Sequence, residues 1–243
     1  MDAFTKEGSV VNIENKVAVV TGAGRGIGRA IALELAAAGA RLALAARSRS
    51  ELEETARAIG ANASVFPTDV RDKERVHTLL GQTASALGPI DILVNAAGLG
   101  IFGPVADFND DDFATLIETN LRGTFFTCRY VLPSMIERKT GHIINIASIA
   151  GKVGSANRAV YCASKFGVVG FTEALAEEVR QHGIRASVIC PGSTATSFAG
   201  DKAGKSREKM LRPEDVAYAV RMLVMQEPNS FISEIIMRPT QKP

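Results

Sequence analysis

A cluster of glycines follows the first apolar segment of the chain and leads directly into a helical pattern. Residues 21–28 read Thr-Gly-Ala-Gly-Arg-Gly-Ile-Gly, which places Gly22, Gly26 and Gly28 in the spacing G-x-x-x-G-x-G. Glycines at such a turn allow a tight bend and a close approach to a pyrophosphate, which rests on the N-terminus of the next helix. The turn therefore predicts a dinucleotide-binding βαβ unit. The alternative is a glycine-rich turn that binds nothing.

Short apolar runs alternate with helical patterns along the rest of the chain. The runs are apolar on both faces, as in strands that helices cover on each side. The predicted strands are Val17–Thr21, Arg41–Ala46, Ala63–Phe66, Ile92–Asn95, His142–Ser148, Arg185–Cys190 and, as a last one, Phe231–Met237. The alternation predicts an α/β fold, with a Rossmann-like, doubly wound parallel sheet of about seven strands and helices on both faces.

Length and composition indicate one globular domain. The chain has 243 residues, 46% of them hydrophobic and 22% charged, and no linker rich in Pro, Gly or Ser divides it. We therefore expect a single domain over residues 1–243, with an N-terminal extension at 1–15. The polar stretch at 193–209 is predicted to be a substrate lid, because connections of this length in a compact domain are usually functional.

Several function classes are disfavoured by the same composition. A net charge of +2 gives no electrostatic footprint for nucleic acid. No uninterrupted apolar stretch is long enough to span a membrane, and the N-terminus is charged where a secretory signal would be apolar. The three cysteines form no C-x-x-C pair and the three histidines are isolated, so neither disulfides nor a metal site are expected. These observations predict a cytoplasmic protein.

The end of the second predicted strand bears on the choice of cofactor. Enzymes that use NAD carry an acidic residue about 20 residues after the glycine turn, where it holds the ribose 2′-hydroxyl. Here the strand is followed by Arg47, and the next carboxylate, Glu51, falls in a helical segment. A guanidinium matches the geometry of a phosphate, so Arg47 and Arg25 suit a 2′-phosphate. The pattern favours NADP(H) over NAD(H); the alternative for each arginine is a solvated surface charge.

A tyrosine and a lysine lie one helical turn apart in the second half of the chain. Tyr161 and Lys165 project from one face of a predicted helix, and an ammonium close to a phenol lowers its pKa from the ordinary value near ~10. Ser148 ends a predicted strand, at the sheet edge where ligands of open α/β folds bind. Asn120 lies in the preceding helical region. Alone, the pair would more simply be a packed Tyr and a solvated Lys; its neighbours favour a proton-transfer site.

From about residue 16 to 237 the sequence resembles the short-chain dehydrogenases/reductases, and within them the 3-oxoacyl-acyl-carrier-protein reductases. The matching motifs are the Thr21–Gly28 turn, Asp69, Asn95-Ala96-Ala97-Gly98, Asn120, Ser148, Tyr161-x-x-x-Lys165 and Pro191-Gly192. Each motif is modest alone, but their order and spacing together are highly specific.

The resemblance implies four catalytic residues. Tyr161 would be the general acid in carbonyl reduction and the base in alcohol oxidation. Lys165 would bind the nicotinamide ribose and lower the pKa of Tyr161. Ser148 would hydrogen-bond the substrate oxygen, and Asn120 would hold a water that links Lys165 to solvent.

The resemblance also implies the cofactor contacts. Asp69 and Val70 would contact adenine, Asn95 and Gly98 would border the adenosine ribose, and a threonine after Pro191-Gly192 would touch the carboxamide or the phosphates. The full predicted set is Gly22, Arg25, Gly26, Ile27, Gly28, Arg47, Asp69, Val70, Asn95, Ala96, Gly98, Tyr161, Lys165, Pro191, Gly192, Thr194 and Thr196.

The expected activity is NADPH-dependent reduction of a ketone, such as a 3-oxoacyl thioester of fatty acid metabolism. A dehydrogenase of a sugar, polyol or other secondary alcohol is one alternative, and a non-catalytic NADP(H)-sensing protein is another. The segments expected to line the substrate site contain Phe102, Val153 and Phe198, which favour an apolar ketone or acyl chain.

Two kinds of partner are expected as well: an acyl carrier and further copies of the same chain. Arg138, Lys139 and the basic run 202–209 would meet an acidic carrier protein or a CoA phosphate, unless they are simply solvated charges. Relatives are commonly tetramers built on the helices that hold Asn120 and Tyr161, so a homo-oligomer, dimer or tetramer, is expected.

Overall fold

A seven-stranded parallel sheet with helices on both faces forms the body of the protein in a computed structural model, which describes residues 11–199, 207–227 and 229–243. The strands are β1 Val17–Thr21, β2 Arg41–Ala46, β3 Ala63–Pro67, β4 Ile90–Asn95, β5 Gly141–Ile146, β6 Ile184–Pro191 and β7 Glu234–Met237. The α-helices are α1 Gly26–Ala37, α2 Arg49–Ile59, α3 Lys73–Leu87, α4 Asp110–Ile117, α5 Gly123–Arg138, α6 Ala159–Val179 and α7 Pro213–Val224. The predicted fold class is confirmed.

The strands lie in the order β3-β2-β1-β4-β5-β6-β7, and every neighbouring pair is parallel. The order reverses between β1 and β4, because the chain builds outward from β1 to β3 and then returns to the other side of β1. In open α/β sheets, the crevice for a ligand forms at this reversal, outside the carboxyl ends of the strands. The glycine turn, which follows β1, lies at that edge.

Successive residues of the strands pack into two different cores. In β1, Ala18 and Val20 pack with α1 and α7, whereas Val17 and Val19 pack with α3, α5 and α6. Because side chains of a strand alternate between faces, a strand buried on both faces is continuously apolar, which is why the strands could be recognised in the sequence.

The last five strands, β3 to β7, begin or end one to three residues from their predicted bounds, and the differences at β5 and β7 have a visible cause. The predicted strand His142–Ser148 ends at Ile146, and Ser148 instead accepts a hydrogen bond from the backbone N–H of Ala150, which turns the chain out of the sheet. The predicted strand Phe231–Met237 begins only at Glu234, where pairing with β6 starts. Of the predicted N-terminal extension, residues 1–10 lie outside the described residues.

His142 is buried in β5 and gives the fold a dependence on pH. Its Nε2 lies 2.9 Å from the hydroxyl of Ser187, which donates its own proton to the carbonyl of Ile232. Burial, with a smaller contribution from the charge of Arg185, lowers the pKa of His142 to about 3. The folded chain therefore keeps the imidazole neutral at pH values where the unfolded chain protonates it.

We expect the free energy of unfolding to be highest above pH 6.5 and to fall as pH drops towards 3, because the unfolded state binds the extra proton. This residue alone contributes a loss of about 3 kcal/mol between pH 7 and pH 4. His142→Gln should remove that part of the pH dependence in urea unfolding, whereas His182→Gln, at a helix end, serves as the control. An unchanged slope in the His142 variant would contradict the assignment.

Candidate active site

At three positions of the glycine turn, the backbone conformation or the available space suits only glycine. Gly22 and Gly26 have φ of +69° and +54°, values that favour glycine. A Cβ added to Gly28 would lie 2.2 Å from the carbonyl oxygen of Gly22, and one added to Gly22 would lie 2.8 Å from that of Ala96. The turn therefore packs directly against the end of β4.

The N-terminus of α1 lacks the side-chain cap that the next three helices have. Ser48, Asp72 and Asn109 accept hydrogen bonds from the first turns of α2, α3 and α4, but α1 begins after Arg25 with no capping side chain among the described residues. Its first N–H groups and the positive end of its dipole therefore suit an anion. A dinucleotide pyrophosphate fits this cradle.

Arginines and carboxylates surround the end of β2. Arg25 pairs with Glu51 at 3.8 Å, and Arg71 holds Asp69 with its nearest nitrogen at 2.6 Å. Hydrogen bonds from Arg71 are the main reason that the pKa of Asp69 is lowered, and the charge of Arg47 contributes less. Both carboxylates near the predicted adenosine end thus have arginine partners. Arg47 is exposed beside them, as a 2′-phosphate ligand would require.

Tyr161 and Lys165 lie on α6 at the carboxyl edge of the sheet, as predicted. Both side chains are buried, with 7% and 5% exposure. The ammonium of Lys165 donates to the carbonyl of Ile146, the last residue of β5, at 3.0 Å. A Cβ on Gly98 would lie 3.2 Å from Oδ1 of Asn120 and 3.5 Å from Nζ of Lys165, so these three predicted residues meet at one point.

Asn120 sits in a π-helical turn, Glu118–Arg122, that joins α4 to α5. Its Oδ1 accepts a hydrogen bond from the N–H of Leu99, and its Nδ2 donates to the carbonyl of Leu99 and the hydroxyl of Ser164. The amide thus ties the loop after β4 to α6. π-turns of this kind are frequent at functional sites.

Ser148 and Arg158 are the side chains that favour the phenolate of Tyr161. Burial raises the pKa of Tyr161 above its ordinary value, while a hydrogen bond with Ser148 and the charge of Arg158 act in the opposite direction. The ammonium of Lys165 is directed to the carbonyl of Ile146, and burial lowers its own pKa to about 8. The effect of Lys165 on the pKa of Tyr161 stays a prediction.

Asn95, which is predicted to border the adenosine ribose, directs its side chain away from the glycine turn. Its side chain is buried in the core, where Nδ2 donates to Oδ1 of Asn145 at 2.8 Å and Oδ1 accepts from the hydroxyl of Thr127 at 2.7 Å. Asn145 in turn donates to Thr172. The network joins β4 and β5 to α5 and α6, so the amide of Asn95 holds the strand ends in place and does not face the crevice.

Other parts of the predicted site lie at the ends of β1, β4 and β6 or pack against the glycine turn. The hydroxyl of Thr21 accepts from the N–H groups of Ala96 and Ala97, which fixes the end of β4 beside the glycine turn. Gly192 follows β6 and donates to the carbonyl of Met237 at 2.8 Å. A Cβ on Gly26 would lie 3.3 Å from Cγ2 of Thr196, so this threonine covers the turn.

The proposed carrier-protein contacts are only partly described. Arg138 forms an ion pair with Asp91 at 3.1 Å and also donates to the carbonyl of Ile90, so it is held at the sheet rather than extended from it. Most of the basic run, residues 202–206, lies outside the described residues, as do residues 200–206 of the predicted lid.

Three residues of the site were not predicted from the sequence as parts of it. Ser48 caps α2 next to Arg47, Ser164 bonds Asn120, and Arg158 acts on Tyr161. A serine directly after a strand and before a helix is an N-cap signal that points to Ser48. Nothing local marks Ser164 and Arg158, because their partners are distant in sequence or depend on side-chain direction.

Two kinds of feature are absent from the residues that the structure describes. In the part of the chain that the structure describes, no helix has the length and apolar character needed to cross a membrane. Among the same residues, no three His, Cys, Asp or Glu side chains are grouped as metal ligands. A parallel sheet that reverses its order beside an uncapped glycine turn, with a buried Tyr–Lys pair at the same edge, defines a dinucleotide-dependent oxidoreductase.

Comparison with known proteins gives the family. The family described as short chain dehydrogenase matches residues 16–206, and the chain belongs to it. An uncharacterized oxidoreductase of Staphylococcus saprophyticus is 39% identical over 234 residues, covering 95% of this chain and 100% of that protein. One from Staphylococcus aureus (strain MRSA252) is 36% identical over 228 residues, covering 93% of this chain and 98% of that protein.

Two solved structures, one of a short-chain oxidoreductase and one of an alcohol dehydrogenase, have the same fold as this chain. A metagenomic short-chain oxidoreductase in complex with NADP is similar with a TM-score of 0.84 and 39% identity, over 95% of this chain and 99% of that one. An alcohol dehydrogenase from Thermococcus sibiricus, complexed with 5-hydroxy-NADP, is similar with a TM-score of 0.87 and 32% identity, over 94% and 98%.

Proposed function

We propose that the protein is an NADP(H)-dependent reductase of ketones. The observation that carries this proposal is the position of Tyr161, whose buried phenol is paired with Ser148 at the same edge of the sheet as the glycine turn. Because burial raises the pKa of Tyr161, the phenol keeps its proton at neutral pH. A group in that state is suited to donate a proton, as reduction of a carbonyl requires.

Each residue of the site has one task in this reaction. When bound, the reduced nicotinamide supplies a hydride to the carbonyl carbon and is itself oxidised. Ser148 hydrogen-bonds the carbonyl oxygen and polarises it. Tyr161 donates its proton to that oxygen as the oxygen takes the electron pair of the broken π bond, which gives the alcohol. Lys165 would hold the nicotinamide ribose, and Asn120 would hold a water that returns a proton from solvent.

The preference for NADP(H) is supported by the charges at the end of β2. Glu51 and Asp69 are paired with Arg25 and Arg71, so Arg47 remains the group best suited to a 2′-phosphate. We expect Arg47→Ala to lower kcat/KM for NADPH about tenfold or more and to leave NADH almost unchanged, because charge-assisted hydrogen bonds to the phosphate are lost. Steady-state kinetics with both cofactors measure this ratio. A wild-type preference for NADH would refute the assignment.

The proposed substrate is a ketone such as a 3-oxoacyl thioester. The apolar rings of Phe102 and Phe198 beside Tyr161 support an apolar substrate, rather than the sugar or polyol of the alternative dehydrogenase. A panel of 3-oxoacyl thioesters, simple ketones and sugars, followed through NADPH oxidation at ~340 nm, tests this choice. Turnover of sugars alone would favour the alternative.

Three further features belong to the proposal. Residues 193–209 act as a lid over the substrate, supported by the contact of Thr196 with the glycine turn. The protein works in the cytoplasm, where its three free cysteines stay reduced. It assembles as a homo-oligomer, dimer or tetramer, through α5 and α6, on which the partly exposed rings of Phe125 and Phe166 lie.

A further inference from the structure

Three aromatic rings meet at the proton donor. The ring of Phe102 contacts that of Tyr161 edge to face, with centroids 5.3 Å apart, and the ring of Phe198 lies tilted against it at 6.0 Å. Phe102 and Phe198 are 39% and 40% exposed. Both rings therefore offer apolar surface to solvent directly beside the group that protonates the substrate.

Gly100 allows the two rings to converge. A Cβ at this position would lie 2.6 Å from Cζ of Phe102 and 2.8 Å from Cε1 of Phe198. Any side chain here would push the rings apart or away from Tyr161. The loop after β4 is thus shaped so that both phenyl groups reach the same point.

Phe102 is held in place by the loop that precedes α6. The N–H of Gly103 donates to the carbonyl of Asn157 at 2.9 Å, which joins the two loops. The guanidinium of Arg158 lies over the ring of Phe102, 4.9 Å from its centroid, a distance at which a cation is attracted to the face of an aromatic ring. Arg158 therefore fixes the orientation of Phe102 relative to Tyr161.

Phe198 is held by the segment after β6, which packs over the glycine turn. Its N–H donates to the hydroxyl of Thr196 at 3.3 Å, and Thr196 packs over Gly26 of the glycine turn. The position of the Phe198 ring is therefore set by the segment that packs over the glycine turn. The loops around the site thus hold both rings next to Tyr161.

We propose that Phe102 and Phe198 form a binding surface for an aryl group of the substrate, with Arg158 as a positioning residue for Phe102. The inference rests on the proposed ketone reduction. It narrows the substrates of the protein to ketones that carry an aromatic ring near the carbonyl, including 3-oxoacyl thioesters of that kind. Aromatic rings prefer edge-to-face and offset contacts with one another, and the two exposed phenyl groups offer a substrate ring such contacts. The hydroxyls of a sugar would find no partners on this surface.

Two ketones that differ only in the ring provide the test: 4-phenylbutan-2-one and 4-cyclohexylbutan-2-one. In both, the carbonyl is separated from the ring by two methylene groups, so its intrinsic reactivity is the same. We expect kcat/KM to favour the phenyl ketone about tenfold, since two aromatic contacts are gained. Phe102→Leu and Phe198→Leu keep an apolar side chain and should each reduce the ratio, and the double variant should bring it to about one.

Controls separate this role from general effects. Phe113→Leu removes an exposed ring on α4 and should leave the ratio unchanged. Arg158→Lys retains a cation for the ring and should preserve the ratio, whereas Arg158→Gln should lower it. Because the charge of Arg158 also acts on Tyr161, the Gln variant changes the rate for both ketones alike, but only loss of the ring contact changes their ratio.

Binding of the same two ketones to the NADP⁺ complex, followed by saturation-transfer NMR, gives a readout that needs no turnover. Equal kcat/KM and equal affinity for the two ketones would overturn the aryl surface while the reductase activity stands. If no ketone is reduced, the proposed function fails. A preference in binding that is lost in Phe102→Leu would then still support the surface, and its absence would overturn it.

Discussion

Tyr161→Phe is expected to lower kcat for ketone reduction at least ~100-fold while the affinity for NADPH changes little. A positioned proton donor contributes roughly 10²–10⁴-fold to such a reaction, and phenylalanine keeps the ring but has no proton to give. The ring can still pack against Phe102 and Phe198, so the shape of the site is preserved. Single-turnover kinetics and titration with NADPH separate the two effects.

Tyr218→Phe is the matched control, because this tyrosine is 67% exposed on α7. The Tyr218 variant should have the activity of the wild type. Unchanged turnover in Tyr161→Phe would remove Tyr161 from the mechanism. The same variant also distinguishes the enzyme from an NADP(H)-sensing protein. A sensor would bind NADPH equally well before and after the substitution and reduce no ketone in either form.

The architecture could be predicted because the features that determine it are local in sequence. The predicted bounds of β1 and β2 equal the observed ones, since each is apolar except for one terminal residue and leads into turn signals. The glycine turn was recognisable from its spacing alone. Strand ends were less well predicted: β5 stops at Ile146 because Ser148 forms a local hydrogen bond that competes with the ladder.

The electrostatics of the site could not be predicted in the same way. The sequence spacing places Tyr161 and Lys165 on one face of α6, but it does not say where the ammonium is directed, and it donates to Ile146. The sequence likewise does not show that the amide of Asn95 faces Asn145 and Thr127 in the core. Both outcomes depend on side-chain direction relative to strands that are far away in sequence, for which periodicity carries no information.

The directions of these two side chains are compatible with the proposed site. Tyr161 and Ser148 are paired as the proposed reaction requires, and Lys165, Asn120 and Gly98 converge at the same edge of the sheet. The buried network around Asn95 connects the ends of β4 and β5, and thereby positions both Gly98 and Ser148 at the edge of the sheet. A structural role for Asn95 therefore still serves the catalytic site.

Gly28→Ala is expected to weaken NADPH binding at least ~100-fold, because the new methyl group would lie 2.2 Å from the carbonyl oxygen of Gly22. That oxygen belongs to the backbone of the same turn, so the turn itself must move by about 1 Å, and displacements of this size at a binding site cost on the order of 10²-fold. Gly81→Ala is the control: nothing lies within 4 Å of its Cβ position in α3, and alanine there should stabilise the helix by about 0.5–1 kcal/mol. Titration with NADPH, together with thermal unfolding of both variants, gives the comparison. A Gly28 variant that binds NADPH as tightly as the wild type would show that the cofactor does not rest on the N-terminus of α1.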